Sequence, residues 1–209
     1  MNNLNLITPE IFISLSIMFL LILGVFKKNS SNLIHNLSII FLLITGVLIL
    51  NNSFDSPVFL FGKSYVIDSL SSLMKIITII GGVLVLLIST KYLKISRIFL
   101  IEYPILIICS ILGMMVMISS YDLIVFYIGL ELQSLALYVL ASFNRDQLKS
   151  SESGLKYFVL SALSSGLLLY GCTLIYGFSG STNFNIIGDL MDSSHYGLTF
   201  GIVFILVGL

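Results

Sequence analysis

The chain has 209 residues, 57% of them hydrophobic and 10% charged, with ten basic residues balancing ten acidic ones. A mean hydropathy of +1.10, with far fewer charges than the roughly 25% usual in soluble domains, excludes a soluble globular fold. The absence of net charge gives no reason to expect a nucleic-acid partner.

Apolar runs predict an all-α, polytopic membrane helix bundle in a single domain, with spans at about 9–26, 33–50, 66–90, 98–119, 122–143, 153–177 and 197–209. The first run opens with Thr8-Pro9-Glu10, a helix start: Thr8 can cap, Pro9 needs no partner for a missing N–H, and Glu10 opposes the dipole. Lys27 and Lys28 follow the apolar core instead of preceding it, which argues against a cleaved signal peptide. In the second run His35 falls in the first turn and is expected at the interface. Residues 51–63 read as a loop, with Val58–Phe61 able to pair as a short surface strand.

The third run carries Lys75 about 13 Å along its axis. It reads either as a second buried charge or as a side chain that snorkels towards the interface, and snorkelling is the favoured expectation. Glu102 and Pro104 open the fourth run. The fifth is entered through Asp122, well placed as an N-cap. The sixth carries Ser161, Ala162, Ser164, Ser165, Gly166 and Gly171, small residues that let helices approach closely. A polar loop from Gly180 to His195 leads to a seventh run, which stops at Leu209 after about 20 Å and is expected to be truncated. Cys109 and Cys172 sit in separate apolar runs without a Cys-x-x-Cys spacing or a histidine cluster, so they read as packing residues and not as ligands.

The residue that costs most is Glu131, near mid-depth of the fifth run. An ionised carboxylate there costs at least about 2.5 kcal/mol. It marks a functional polar pathway, or it is a structural glutamate bonded to a neighbouring helix; the cost favours the pathway. Lys156 is the candidate basic partner. Glu131 would lie about 18 Å from the inner face and Lys156 roughly 5–8 Å from it, an offset of about two turns. Direct contact would need a kink, whereas coupling through water is open. A carboxylate buried alone holds its proton and a lysine brought near releases it, which is the logic of a pump. Alternatively Lys156 snorkels.

Basic residues alternate between faces. Lys27, Lys28, Lys91, Lys94, Arg97, Arg145 and Lys149 fall in one set of connections and Lys63 in the other. The first set is therefore expected on the matrix or cytoplasmic side and the N-terminus opposite.

The stretches Leu112-Gly-Met-Met, Asp122-Leu-Ile-Val-Phe-Tyr-Ile-Gly-Leu-Glu131-Leu-Gln-Ser-Leu-Ala-Leu-Tyr-Val-Leu-Ala141, Ser151-Glu-Ser-Gly-Leu-Lys156-Tyr-Phe-Val-Leu, Ser165-Gly-Leu-Leu-Leu-Tyr-Gly171 and Gly180-Ser-Thr-Asn-Phe184 closely resemble the antiporter-like subunit 2 of respiratory complex I, subunit N in bacteria. The match is dense from about Tyr103 to Phe184. Gly-Leu-Glu alone is shared with sibling subunits and cation/proton antiporters; its combination with Gly-Leu-Lys-Tyr-Phe points to subunit 2. The resemblance implies a membrane-arm subunit of proton-pumping NADH:ubiquinone oxidoreductase, with Glu131 and Lys156 in proton translocation. It implies no cofactor in this chain, flavin and iron–sulfur clusters belonging to other subunits. The implied partners are other membrane-arm subunits, lipids, and a second polypeptide completing an inverted-repeat fold of about fourteen helices, as from a split gene. The three N-terminal helices, unlike the shortened animal form of the subunit, leave bacteria or the mitochondria of other eukaryotes, and the Ile/Asn/Lys/Ser-rich usage together with the truncation tilts the expectation to a mitochondrial inner membrane, with a bacterial plasma membrane as the alternative. A stand-alone cation/proton antiporter subunit and a purely structural scaffold are the other functions in view.

Overall fold

The computed structural model describes residues 6–27, 31–51, 56–95, 100–191 and 196–209. Lys28, Asn52, Arg97, Ile98 and His195 lie outside the described residues. The helical bundle expected from composition is what forms. Its elements are α1 (Thr8–Phe26), α2 (Ser31–Leu50), a hairpin of β1 (Val58–Leu60) and β2 (Tyr65–Ile67), then α3 (Ser69–Ile95), α4 (Glu102–Ile118), α5 (Leu123–Ala141), α6 (Leu148–Ser179), α7 (Phe184–Met191) and α8 (Tyr196–Gly208). Five helices, α1, α2, α3, α5 and α6, are long and apolar enough to cross a membrane; α4 and α8 are shorter apolar helices.

Local chemistry sets several boundaries away from the expected ones. Helix α3 starts at Ser69 and not Val66, because the β-branched Val66 and Ile67 pair with β1 (Val58↔Ile67, Phe59↔Val66). Asp68 and Ser71 then cap the helix reciprocally, Ser71 N donating to Asp68 Oδ1 at 2.7 Å and Asp68 N to Ser71 Oγ at 2.9 Å. The N-cap of α1 is Ile7, without a side-chain cap bond, so Thr8 is already inside the first turn with Pro9. Helix α6 begins at Leu148, five residues before the expected Ser153. Its 32 residues make about 48 Å, longer than a hydrocarbon core of about 30 Å. The stretch read as a polar loop after Gly180 contains α7, which buries Ile187 and starts where Asn183 Oδ1 accepts from Asn185 N at 3.1 Å.

Two cores result. Ile13, Leu20, Ile34, Leu42, Leu86, Ile108, Ile111 and Met115 join α1 to α4, while Leu123, Leu168, Cys172, Ile175, Ile187 and Leu198 join α5 to α8. A glycine crossing links the two. A Cβ on Gly129 of α5 would stand 2.7 Å from Met117 N, and one on Gly113 of α4 would stand 2.6 Å from Gln133 N, so only glycine lets these backbones touch. The same device recurs between α6 and α8, where a Cβ on Gly171 would lie 2.7 Å from Gly201 O.

On one face the connections are stitched together. Val66 N donates to Ser119 O at 2.8 Å, Tyr121 N to Ser64 O at 2.9 Å and Leu123 N to Thr182 O at 2.9 Å. Asn183 Nδ2 reaches Lys63 O at 2.9 Å. The hairpin, the α4–α5 turn and the α6–α7 turn therefore share one side of the bundle, as the alternation of spans requires.

Candidate functional site

Glu131 sits nine residues into the nineteen of α5, about 12 Å from the helix start. Two local signals place it. Asp122 caps the helix, its Oδ1 accepting from Ile124 N at 2.8 Å while Oδ2 accepts from Thr182 Oγ1 at 2.5 Å. Gly129 then fixes the register of α5 against α4. Glu131 is half-buried, and its Oε1 is buried with no hydrogen-bond partner among the described residues. Tyr127, one turn before it, neighbours its carboxylate and in turn reaches Ser165 of α6. One turn further along α5, a cavity of about 150 Å³ is lined by Leu130, Ser134 and Tyr138 of α5, by Ser161, Ser164 and Ser165 of α6, and by the end of α8. At roughly 30 Å³ per molecule it has room for several waters.

Lys156 is not brought to Glu131. Its Nζ is held at 2.6 Å by Glu152, one turn away on the same exposed face of α6, and its side chain is 67% exposed. A Cβ on Gly154 would meet Ser142, so those two residues are level. Ser142 is eleven residues beyond Glu131 and Lys156 two residues beyond Gly154, which leaves an axial gap of about 13 Å.

The structure assembles a second constellation that spacing along the chain does not announce. Lys75 does not snorkel. It is 3% exposed, and its Nζ lies 2.7 Å from Oε1 of Glu10 and 3.2 Å from the Tyr65 hydroxyl, over whose ring it also sits. Tyr65 donates to the same Glu10 oxygen at 2.9 Å, while Glu10 Oε2 is buried without a partner. Burial, and then the charge of Glu10, push the Tyr65 hydroxyl far above the ordinary tyrosine range, so it stays protonated as a donor. Lys75 is six residues into α3 and Glu10 two residues into α1. A surface lysine would escape to the interface; this one is enclosed by Leu6, Pro9, Ile49 and Ile67 and meets a carboxylate first.

At the opposite end of α2 and α3, His35 is 3% exposed, packed between helices in the first turns of α2. Its Nε2 lies 2.9 Å from Thr90 Oγ1, because the start of α2 packs on the end of α3. Cys172 is buried in the second core and Cys109 half-buried in α4. Among the described residues no three His, Cys, Asp or Glu side chains gather as metal ligands.

The family model for the transmembrane region of NADH:quinone oxidoreductase and Mrp antiporters matches residues 120–209, the segment containing Glu131 and Lys156. NADH-quinone oxidoreductase subunit N of Pelagibacter ubique is 80% identical over 209 residues, covering 100% of this chain and 44% of that protein. The chain is a homologue of subunit N. The subunit N of Bartonella bacilliformis is 48% identical, covering 98% of this chain and 42% of its own length. The chain thus spans under half the length of these subunit N relatives, along their N-terminal part. Respiratory complex I from Thermus thermophilus with bound aureothin contains a chain that superposes with a TM-score of 0.77 at 24% identity, covering 96% of this chain and 42% of that one, so the two share a fold.

Proposed function

We propose that this chain works in the membrane arm of a proton-pumping NADH:quinone oxidoreductase and that Glu131 carries the proton in its part of the path. Support comes from one observation above all: a carboxylate at the middle of a spanning helix with a buried oxygen that has no hydrogen-bond partner among the described residues, in a chain homologous to subunit N. Such a group is expensive in a bilayer unless it exchanges a proton or meets water. The serine-lined cavity one turn away has room for such water. The redox reaction, with its flavin and iron–sulfur clusters, is assigned to other subunits, and the other membrane-arm subunits are the partners.

Lys156 takes a secondary part in this reading. Across about 13 Å an ammonium couples to a carboxylate by only about 1 kcal/mol at an effective dielectric of 20, enough to bias a proton but not to carry it. The relatives compared are bacterial, so we infer a bacterial plasma membrane in place of the mitochondrial inner membrane. The face bearing Lys27, Lys91, Lys94, Arg145 and Lys149 is then cytoplasmic and the N-terminus lies opposite.

The test is Glu131→Gln in the assembled enzyme in sealed vesicles. Fewer protons moved per NADH oxidised, with normal assembly, is the expected result. Unchanged stoichiometry would leave a structural role only, and sodium/proton exchange without NADH oxidation would favour a stand-alone antiporter.

A further inference from the structure

We propose that the groove between the end of α5 and the start of α6 binds one anionic glycerophospholipid, with Arg145 as the ligand of its phosphate. The groove has a volume of about 480 Å³. Its mouth is formed by Ser142 and Arg145, just past the end of α5, and by Ser151 in the first turn of α6. Further into the span its apolar floor is an open one, formed by the exposed side chains of Val139, Leu155 and Phe158 over the buried Tyr138 and Gly154. From Ser151 to Phe158 is seven residues, about 10 Å along the helix. The lining therefore changes from polar to apolar with depth, as a lipid does from headgroup to acyl chain.

Charge selects the headgroup. Among the described residues the ion pairs are Glu10–Lys75 and Glu152–Lys156, and Arg145 belongs to neither. Its neighbour Asp146 does not pair with it, and of the cations on α6 Lys149 is exposed in the first turn and does not line the groove, while Lys156 is held by Glu152. An exposed guanidinium is thus free at the lip of an apolar groove, in a loop at the membrane surface. Guanidinium matches phosphate with two parallel hydrogen bonds, and basic pockets between spanning helices recognise anionic headgroups. Free phosphate would use the lip and not the floor. A partner helix would use the floor and leave the guanidinium without its counter-ion. Gly154 makes the groove possible, because α6 approaches Ser142 at a residue without a side chain. The proposal is independent of the role given to Glu131.

The intact membrane complex, purified in detergent, is offered photoactivatable phosphatidylglycerol or phosphatidylcholine, and the labelled residues are read by peptide mass spectrometry. Phosphatidylglycerol should label Val139, Leu155 or Phe158 about fivefold more than phosphatidylcholine, the ratio expected from one basic contact near a bilayer surface. Arg145→Gln should bring it down to the phosphatidylcholine level, and Arg145→Lys should retain part of the preference. Leu155→Trp, which fills the floor, should remove labelling by both lipids. If Arg145→Gln prevents assembly, loss of the preference in wild type at high salt reads the same contact. Equal labelling by the two lipids, or a crosslink from these positions to another protein segment with no lipid label, overturns the proposal.

Discussion

Glu10 and Lys75 are 65 positions apart, yet their side chains meet at 2.7 Å with little access to solvent. Taking away one partner leaves the other charge uncompensated inside the bundle. Lys75→Met is therefore expected to destabilise the folded chain by about 3–5 kcal/mol, measured by denaturant unfolding in detergent. The double replacement Glu10→Gln with Lys75→Met should recover most of that loss, because it removes both costs together; a double variant as unstable as the single one would contradict this account. None of this was legible locally. Glu10 was fully accounted for as an acid at a helix start, and Lys75 as a lysine within snorkelling range, so each had a sufficient explanation alone. The clue lay in depth: both sit a short way inside helices that enter from the same face. Glu131 was legible because a carboxylate at mid-depth has no local explanation at all. The offset of Lys156 from it is legible too, through axial rise, and Glu152 stands one turn before Lys156, the spacing at which a helical ion pair forms.

At the scale of helices, the crossing of Gly113 and Gly129 decides where Glu131 points. Gly129→Leu puts a side chain against Met117 N and must push α4 and α5 apart. A loss of roughly 1–3 kcal/mol or more follows from overpacking, measured as a lower thermal midpoint in detergent, and Gly166→Leu, where a Cβ meets nothing within 4 Å, serves as the neutral control. The sixth run's small residues divide accordingly: Gly171 is at a backbone contact and Gly166 is not. Periodicity finds both, and only the partner helix tells them apart. Helix ends show the same limit. The Asp122 cap was readable because the acid precedes its own helix, whereas the late start of α3 depends on Ser119 claiming the Val66 amide from a distant turn.

At the scale of the molecule, the distribution of basic residues and the stitched face make one topology. Lys63 and Thr182 lie on one side, Asp146 and Lys149 on the other. Cysteine placed at Lys63 should react with an impermeant maleimide from outside right-side-out vesicles, and cysteine at Asp146 only after inversion. The opposite pattern would reverse the orientation proposed above.

The stitched face has a mechanical consequence. Backbone bonds there tie the hairpin to the α4–α5 turn, and that turn to the α6–α7 turn, while at the far end Ser150 bonds to Ala141 and Thr90 to His35 across neighbouring helices. A bundle clasped in this way has its hinge at the clasped end. Deuterium exchange should then be slowest, among loop amides, at Val66, Tyr121 and Leu123, and fast in the α5–α6 connection. A tilt of α5 about the Asp122 clasp would swing Glu131 through a short arc, with the greater travel reserved for the Arg145 end.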